Sequence, residues 1–206
     1  MVGIAIVDLD DPSSIYVAGC VVPQHILSKF RPRTTYIGQL EALAAVLAYT
    51  SLPDLFIDRE VVHFIDNTGA LYGLHHCYSR DYDTSTVVHE YYALAVAISC
   101  RTWWAYVPSA ANIADYPSRL KWQELEAALA VQYPRAKIIN FTHEISWPSL
   151  TGDWAASFRH YDATYAPKRS RATQRAVAEV AQAVAAARLV ASTITVRNSK
   201  KRAREQ

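Results

Sequence analysis

The chain reads as an α/β protein with a helical C-terminal extension. Up to residue 120, apolar segments rich in β-branched residues alternate with segments of helical periodicity, and turn-forming residues separate them. After residue 170 the chain is rich in Ala and Val with few helix breakers.

Residues 2–9 form a short apolar run that suits a buried strand, and Asp10-Asp11-Pro12-Ser13-Ser14 is a turn in which Pro presets φ. Ile15–Val22 is a second strand, so residues 1–22 read as a hairpin. Pro23–Thr35 is a connector carrying Lys29, Arg31 and Arg33. From Tyr36 to Tyr49, Ile37, Leu40, Leu43, Ala44 and Leu47 recur at helical spacing. Glu60–Ile65 is nearly continuous apolar sequence, as in a strand covered on both faces, and it runs into Asp66-Asn67 and a helix at Leu71–Leu74. His75–Asp83 is polar and reads as a loop, Val87–Cys100 as a long helix, Thr102–Val107 as an aromatic strand and Pro108–Arg119 as an ordered loop. Beyond it come helices at Trp122–Val131 and Asp153–Tyr165, an extended segment at Lys137–Phe141 and a helix at Arg171–Ser192. The terminal Asn198–Gln206 carries Lys-Lys-Arg-Ala-Arg, a run that suits nuclear import, nucleic-acid contact or a solvated tail.

At 206 residues, 51% hydrophobic and 19% charged, the chain is long and apolar enough for one folded domain with an appendage. Cys20, Cys77 and Cys100 are far apart, have apolar neighbours and lack metal-ligand spacing, which points to buried free thiols in a reducing compartment. No apolar run is long enough for a membrane span, and the start lacks the marks of a secretory signal, so a cytoplasmic or nuclear location without membrane contact is expected. The net charge of +2 hides an asymmetry. Residues 167–206 hold ten Lys and Arg against Glu179 and Glu205, a net +8, which leaves −6 for residues 1–166. An acidic body with a basic arm follows.

Three carboxylates stand in distinctive settings: Glu41 beside the apolar stripe of a helix, Asp66 at the end of a strand, and Asp115 in Pro108-Ser109-Ala110-Ala111-Asn112-Ile113-Ala114-Asp115-Tyr116-Pro117-Ser118-Arg119. Each also has a plain structural role open to it. Glu41 can lie on a solvated flank, Asp66 can cap the following helix, and Asp115 can cap a turn or helix start. Together, acids from separate elements that converge are what a magnesium-dependent phosphodiester-cleaving site requires. No phosphate-cradling glycine loop and no Ser/His/Asp pattern compete with that reading, and the adjacent His75 and His76 suit a polar surface loop.

The order of helix Glu, strand-end Asp-Asn and then Asn-x-Ala-Asp-x-x-Ser-Arg resembles the ribonuclease H domain of reverse-transcribing retroelements across roughly residues 1–120. The resemblance implies a mixed sheet flanked by helices and cleavage of the RNA strand of an RNA–DNA hybrid. It also implies two Mg²⁺ (or Mn²⁺) ions held by Glu41, Asp66 and Asp115, with Asn67, Ser109, Asn112, Ser118 and Arg119 placing the substrate phosphates. A reverse transcriptase domain of a parent polyprotein would be the natural partner. The implied organisation is a ribonuclease H-like domain at 1–120, a helical or irregular extension at 121–166 and a basic helical tail at 167–206.

The chain departs from that family at its start. The family's central first strand carries the first catalytic Asp in Asp-Ala-Ser or Asp-Gly-Ser, and neither occurs here. Val2–Val7 looks more like the family's second strand, so the domain reads as N-terminally truncated with one metal ligand missing. In a competing register Val2–Val7 is itself the central strand and Asp8 supplies the carboxylate. Loss of the first Asp would turn the expected enzyme into a non-catalytic nucleic-acid-binding or scaffold module. An integrase-like strand transferase shares the carboxylate logic but fits the Asp115 motif less well.

Overall fold

The computed structural model describes residues 1–176 together with Ala178, Glu179 and Gln182. The chain divides into two units, Met1–Pro167 and Lys168–Gln206. The first unit is mixed α/β, a small mixed sheet system flanked by helices.

Strand β1 (Val2–Val7) pairs antiparallel with β2 (Ser14–Cys20), with Val2 opposite Cys20 and Val7 opposite Ile15. A one-turn helix α1 (Gln24–Leu27) follows, then α2 (Ile37–Ser51), β3 (Glu60–Ile65), α3 (Thr68–His75), α4 (Tyr82–Ile98) and β4 (Arg101–Tyr106). Strand β4 lies parallel to β3 with Glu60 opposite Arg101. Helix α5 (Asp115–Ser118) and α6 (Trp122–Gln132) lead to β5 (Lys137–Asn140), which pairs parallel with β2. Helix α7 (Trp154–Tyr165) closes the unit. The sheets are thus β1-β2-β5 and β3-β4, and among the described residues no strand pairing joins them.

The two sheets nevertheless share one core. Val2 and Ile4 of β1, Ile65 of β3 and Trp104 of β4 pack into the same buried cluster as Leu43, Val46 and Leu47 of α2 and Val87, Val88 and Leu94 of α4. Helix α2 is buried nearly all round from Ala42 to Thr50, which suits its Ala- and Leu-rich sequence. A second cluster lies on the opposite face of β2, where Ile15 and Val17 meet Leu125 and Leu129 of α6.

The ends of β1 and β3 show their relative direction. Arg59, one residue before β3, pairs with Asp8, one residue after β1, at 3.1 Å, and also with Asp10. At the other end, the Met1 ammonium acts on Glu41, which also senses Asp66 just past β3. Strands β1 and β3 therefore run antiparallel, each with one edge unpaired among the described residues. One face of β3-β4 is open, with Val62, Phe64 and Trp103 exposed at 57, 58 and 71%.

Helix α4 begins at Tyr82, five residues before the helix expected at Val87–Cys100, because the Asp81 side chain caps it by accepting from the Thr84 amide at 2.9 Å. Arg33 reaches across to pair with Asp81 at 2.9 Å and with Asp83, and the Gln39 side chain donates to Asp81 at 2.9 Å. These bonds tie the connector after β2 to the start of α4. Two of the three thiols depart from the buried placement expected. Cys100 is buried, but Cys20 is half-buried and Cys77 is exposed at a left-handed position after α3.

Residues 121–167 belong to the same compact unit as residues 1–120. Phe141 and Tyr161 enter the main core, and β5 extends the β1-β2 sheet. In the second unit, residues 171–176 are helical, as expected for the start of Arg171–Ser192. The rest of that helix and the Lys-Lys-Arg-Ala-Arg run lie outside the described residues. No helix among the described residues is long and apolar enough to cross a membrane.

Candidate active site

Each of the three acids is delivered by a different element. Glu41 lies in the second turn of α2, half-buried. Burial raises its pKa to about 7, and the nearby carboxylates of Asp66 and Asp115 push the same way, while the Met1 ammonium opposes them. Asp66 and Asp115 therefore both stand close enough to act on Glu41. Among the described residues no three His, Cys, Asp or Glu side chains stand in ligating geometry.

Asp66 follows the last residue of β3, at the strand's carboxyl end where α/β proteins gather their sites. It is not the cap of α3. Asn67 has that role, its side-chain oxygen accepting from the Ala70 amide at 2.9 Å. The Asp66 carboxylate is thereby not spent on the cap and acts on Glu41, while the oxygen of Asn67, one of the expected phosphate contacts, is engaged in the cap.

Asp115 occupies the first residue of α5 without capping it, since Ala114 holds the cap position. Its carboxylate pairs with Arg119 one turn later at 2.9 Å. Two glycines fix where α5 sits. Gly3 and Gly19 are direct partners in the β1-β2 register. A Cβ on Gly3 would lie 2.6 Å from the Ser118 amide nitrogen and closer still to the Ala114 oxygen. One on Gly19 would lie 2.6 Å from the Pro117 carbonyl carbon. The backbone of α5 thus rests directly on the backbone of the hairpin.

The other expected substrate contacts fall into two groups. Ser109, Asn112 and Arg119 line a cavity of about 300 Å³ together with Asp115, Tyr116, Lys121 and Gln132. Ser118 does not join them. Its hydroxyl donates to the Asp115 carbonyl at 2.9 Å and its backbone sits over Gly3, so its work is to shape α5. Asn112 also helps build the loop, its side-chain oxygen accepting from the Ala114 amide at 3.1 Å.

Asp8, the alternative fourth carboxylate, is turned elsewhere. It pairs with Arg59 and accepts from the Asp10 amide at 3.0 Å, at the end of β1 remote from Glu41. Sequence reasoning missed the glycine seat, Lys121 and Gln132. The first had a signal in two glycines placed symmetrically about a turn. The other two had none, because they line the cavity only once α6 has folded.

No protein-family model matches the chain, and neither the curated proteins nor the solved structures hold a match to it.

Proposed function

We propose that residues 1–167 are a ribonuclease H-like domain of retroelement origin that cleaves the RNA strand of an RNA–DNA hybrid with the help of divalent metal ions. The observation that carries this reading is that Asp66, at the end of β3, and Asp115, at the start of α5, both lie near enough to the half-buried Glu41 of α2 to act on it. Burial, with Asp66 and Asp115 acting the same way, raises Glu41 to about 7, and a hard divalent cation among these oxygen donors would relieve it. Such ions, when bound, activate a water and stabilise the leaving oxygen of an in-line displacement. Glu41, Asp66 and Asp115 would hold them, and Ser109, Asn112 and Arg119 would place the phosphate.

The pairing of the strands supports the register in which β1 is the family's second strand. It pairs only with β2 among the described residues, and it runs antiparallel to β3. A strand lying between them, antiparallel to β1 and parallel to β3, would join the two sheets into one mixed sheet with that strand at its centre.

A second reading rests on Asp8. Its carboxylate belongs to Arg59, so the site has three acids and no fourth from β1. On that reading the domain holds nucleic acid without cutting it, as a scaffold or binding module within a reverse transcriptase polyprotein. Incubating the purified protein with a labelled RNA–DNA hybrid in Mg²⁺ or Mn²⁺ separates the two. Metal-dependent cleavage that disappears in Asp66→Asn establishes the nuclease. Binding without cleavage establishes the module, and neither binding nor cleavage sinks both.

A further inference from the structure

We infer that the cavity between the 109–116 segment and α6 binds one phosphodiester group of a nucleic-acid strand beside the acid site, with Lys121 and Gln132 as further ligands. The inference rests on the nucleic-acid reading above. At about 300 Å³ the cavity is at the small end of ligand sites, with room for one nucleotide's phosphate and sugar but not for a duplex.

Its wall chemistry favours an anion. Two cations, Arg119 and Lys121, and the neutral side chains of Ser109, Asn112 and Gln132 line it with a single carboxylate, Asp115. Arg119 already neutralises that carboxylate, so the remaining charge is the Lys121 ammonium. Its ion pair with Glu124 is long, at 3.8 Å, and joins two half-exposed side chains, so it holds the ammonium only weakly, and Glu124 does not line the cavity. The Asn112 oxygen faces the Ala114 amide, which leaves the amide nitrogen of the side chain as a donor. Neutral donors with one lysine suit a phosphate diester, which carries one charge and several acceptor oxygens.

Place also counts. Lys121 and Gln132 lie at the two ends of α6, and Ala128 between them leaves the wall flat. Tyr116 and Ile113 close the inner side, where they pack on the cluster under β2. Asp115 both lines the cavity and acts on Glu41, so a phosphodiester held here lies beside the acid site.

The test is fluorescence anisotropy of a labelled RNA–DNA hybrid over a salt series with the full chain, comparing Lys121→Ala, Gln132→Ala and Arg101→Ala. Arg101 is an exposed cation on β4 that pairs with Glu60 away from the cavity, so its variant controls for lost charge alone. One lost phosphate contact should lower the slope of log K against log salt by about 0.9 and weaken binding up to about eightfold at 0.1 M salt. Lys121→Ala should do this for hybrid and duplex DNA alike, and inorganic phosphate should compete more weakly with the variant than with wild type. Gln132→Ala should weaken binding with the slope unchanged. If wild type binds the hybrid and Lys121→Ala behaves as Arg101→Ala does, the cavity assignment is overturned while the nucleic-acid reading stands. If wild type does not bind nucleic acid, both are overturned.

Discussion

Asp115 and Arg119 form a 2.9 Å ion pair one turn apart on α5, so the cation expected to meet substrate is held by a carboxylate expected to meet metal. The two roles oppose each other. A divalent cation on Asp115 releases Arg119 toward a phosphate, and Arg119 on Asp115 weakens the metal site. Arg119→Ala should therefore tighten Mg²⁺ binding several-fold while weakening hybrid binding, measured by calorimetry and anisotropy. The pair is an exposed i, i+4 contact worth only about 0.3–0.5 kcal/mol, so the melting temperature should hardly move. A parallel loss of both affinities would refute the competition.

Glu41 and His63 should give the protein two opposed pH dependences. Glu41 is raised to about 7, so its contribution to stability is full below about 4.5 and is lost as pH rises through 7. His63 is enclosed by the rings of Tyr49 and Trp104, and burial lowers its pKa to about 4. Its contribution is full above about 6.5 and is lost as pH falls through 4. Wild type should change little between these limits. Glu41→Gln should remove the loss toward neutral pH, stabilising the protein at pH 8 by on the order of 1–2 kcal/mol after discount for solvent screening. Urea midpoints at pH 4.5, 5.5, 6.5 and 8 read this directly, and Mg²⁺ at pH 8 should reproduce the gain in wild type. An unchanged profile in Glu41→Gln would show that the folded protein does not raise Glu41.

The buried Glu90 of α4 holds α7 in place. It accepts from Tyr161 at 2.6 Å, from Ser157 at 2.7 Å and from Ser149 at 3.4 Å. Three hydroxyls lose their acceptor in Glu90→Ala, at a cost of about 3 kcal/mol, whereas Tyr161→Phe should cost about 1.5–3 kcal/mol. Hydrogen exchange should show α7 opening first in both. Protection of α7 equal to wild type in Glu90→Ala would mean that apolar packing alone retains the helix.

Gly3→Ala and Gly19→Ala should each lift α5 from the hairpin. Overpacking against backbone costs about 1–3 kcal/mol, because no side chain can rotate away. The telling readout is Glu41. As Asp115 moves off, the pKa of Glu41 followed by NMR should drop below 7. A drop in stability with the Glu41 titration unchanged would show that α5 is seated by other contacts.

Most of the helices and strands were legible in the sequence, since hairpin, helix and strand each carried their own period. Boundaries were less so. Helix α4 was read late because its first turn, Tyr82–Ser85, is polar, and only the Asp81 cap reveals it. The parallel partnership of β5 with β2 could not be read, because four residues of Lys-Ile-Ile-Asn say nothing of a neighbour more than a hundred positions earlier. At the candidate site, the sequence motifs singled out Glu41, Asp66 and Asp115, and the structure brings the latter two near Glu41. The division of labour between Asp66 and Asn67, and the diversion of Ser118 into shaping α5, depend on hydrogen bonds that a motif does not encode.

The glycine seat under α5 makes the site unevenly tolerant of change. Where one helix lies on a hairpin through side chains, a substitution on either surface can be absorbed by a new rotamer or a compensating neighbour. Here the spacing between Asp115 and the hairpin is set by two hydrogens, and no second substitution can restore it. Apolar side chains around the site can repack after a substitution, while Gly3 and Gly19 leave the backbone nothing to give.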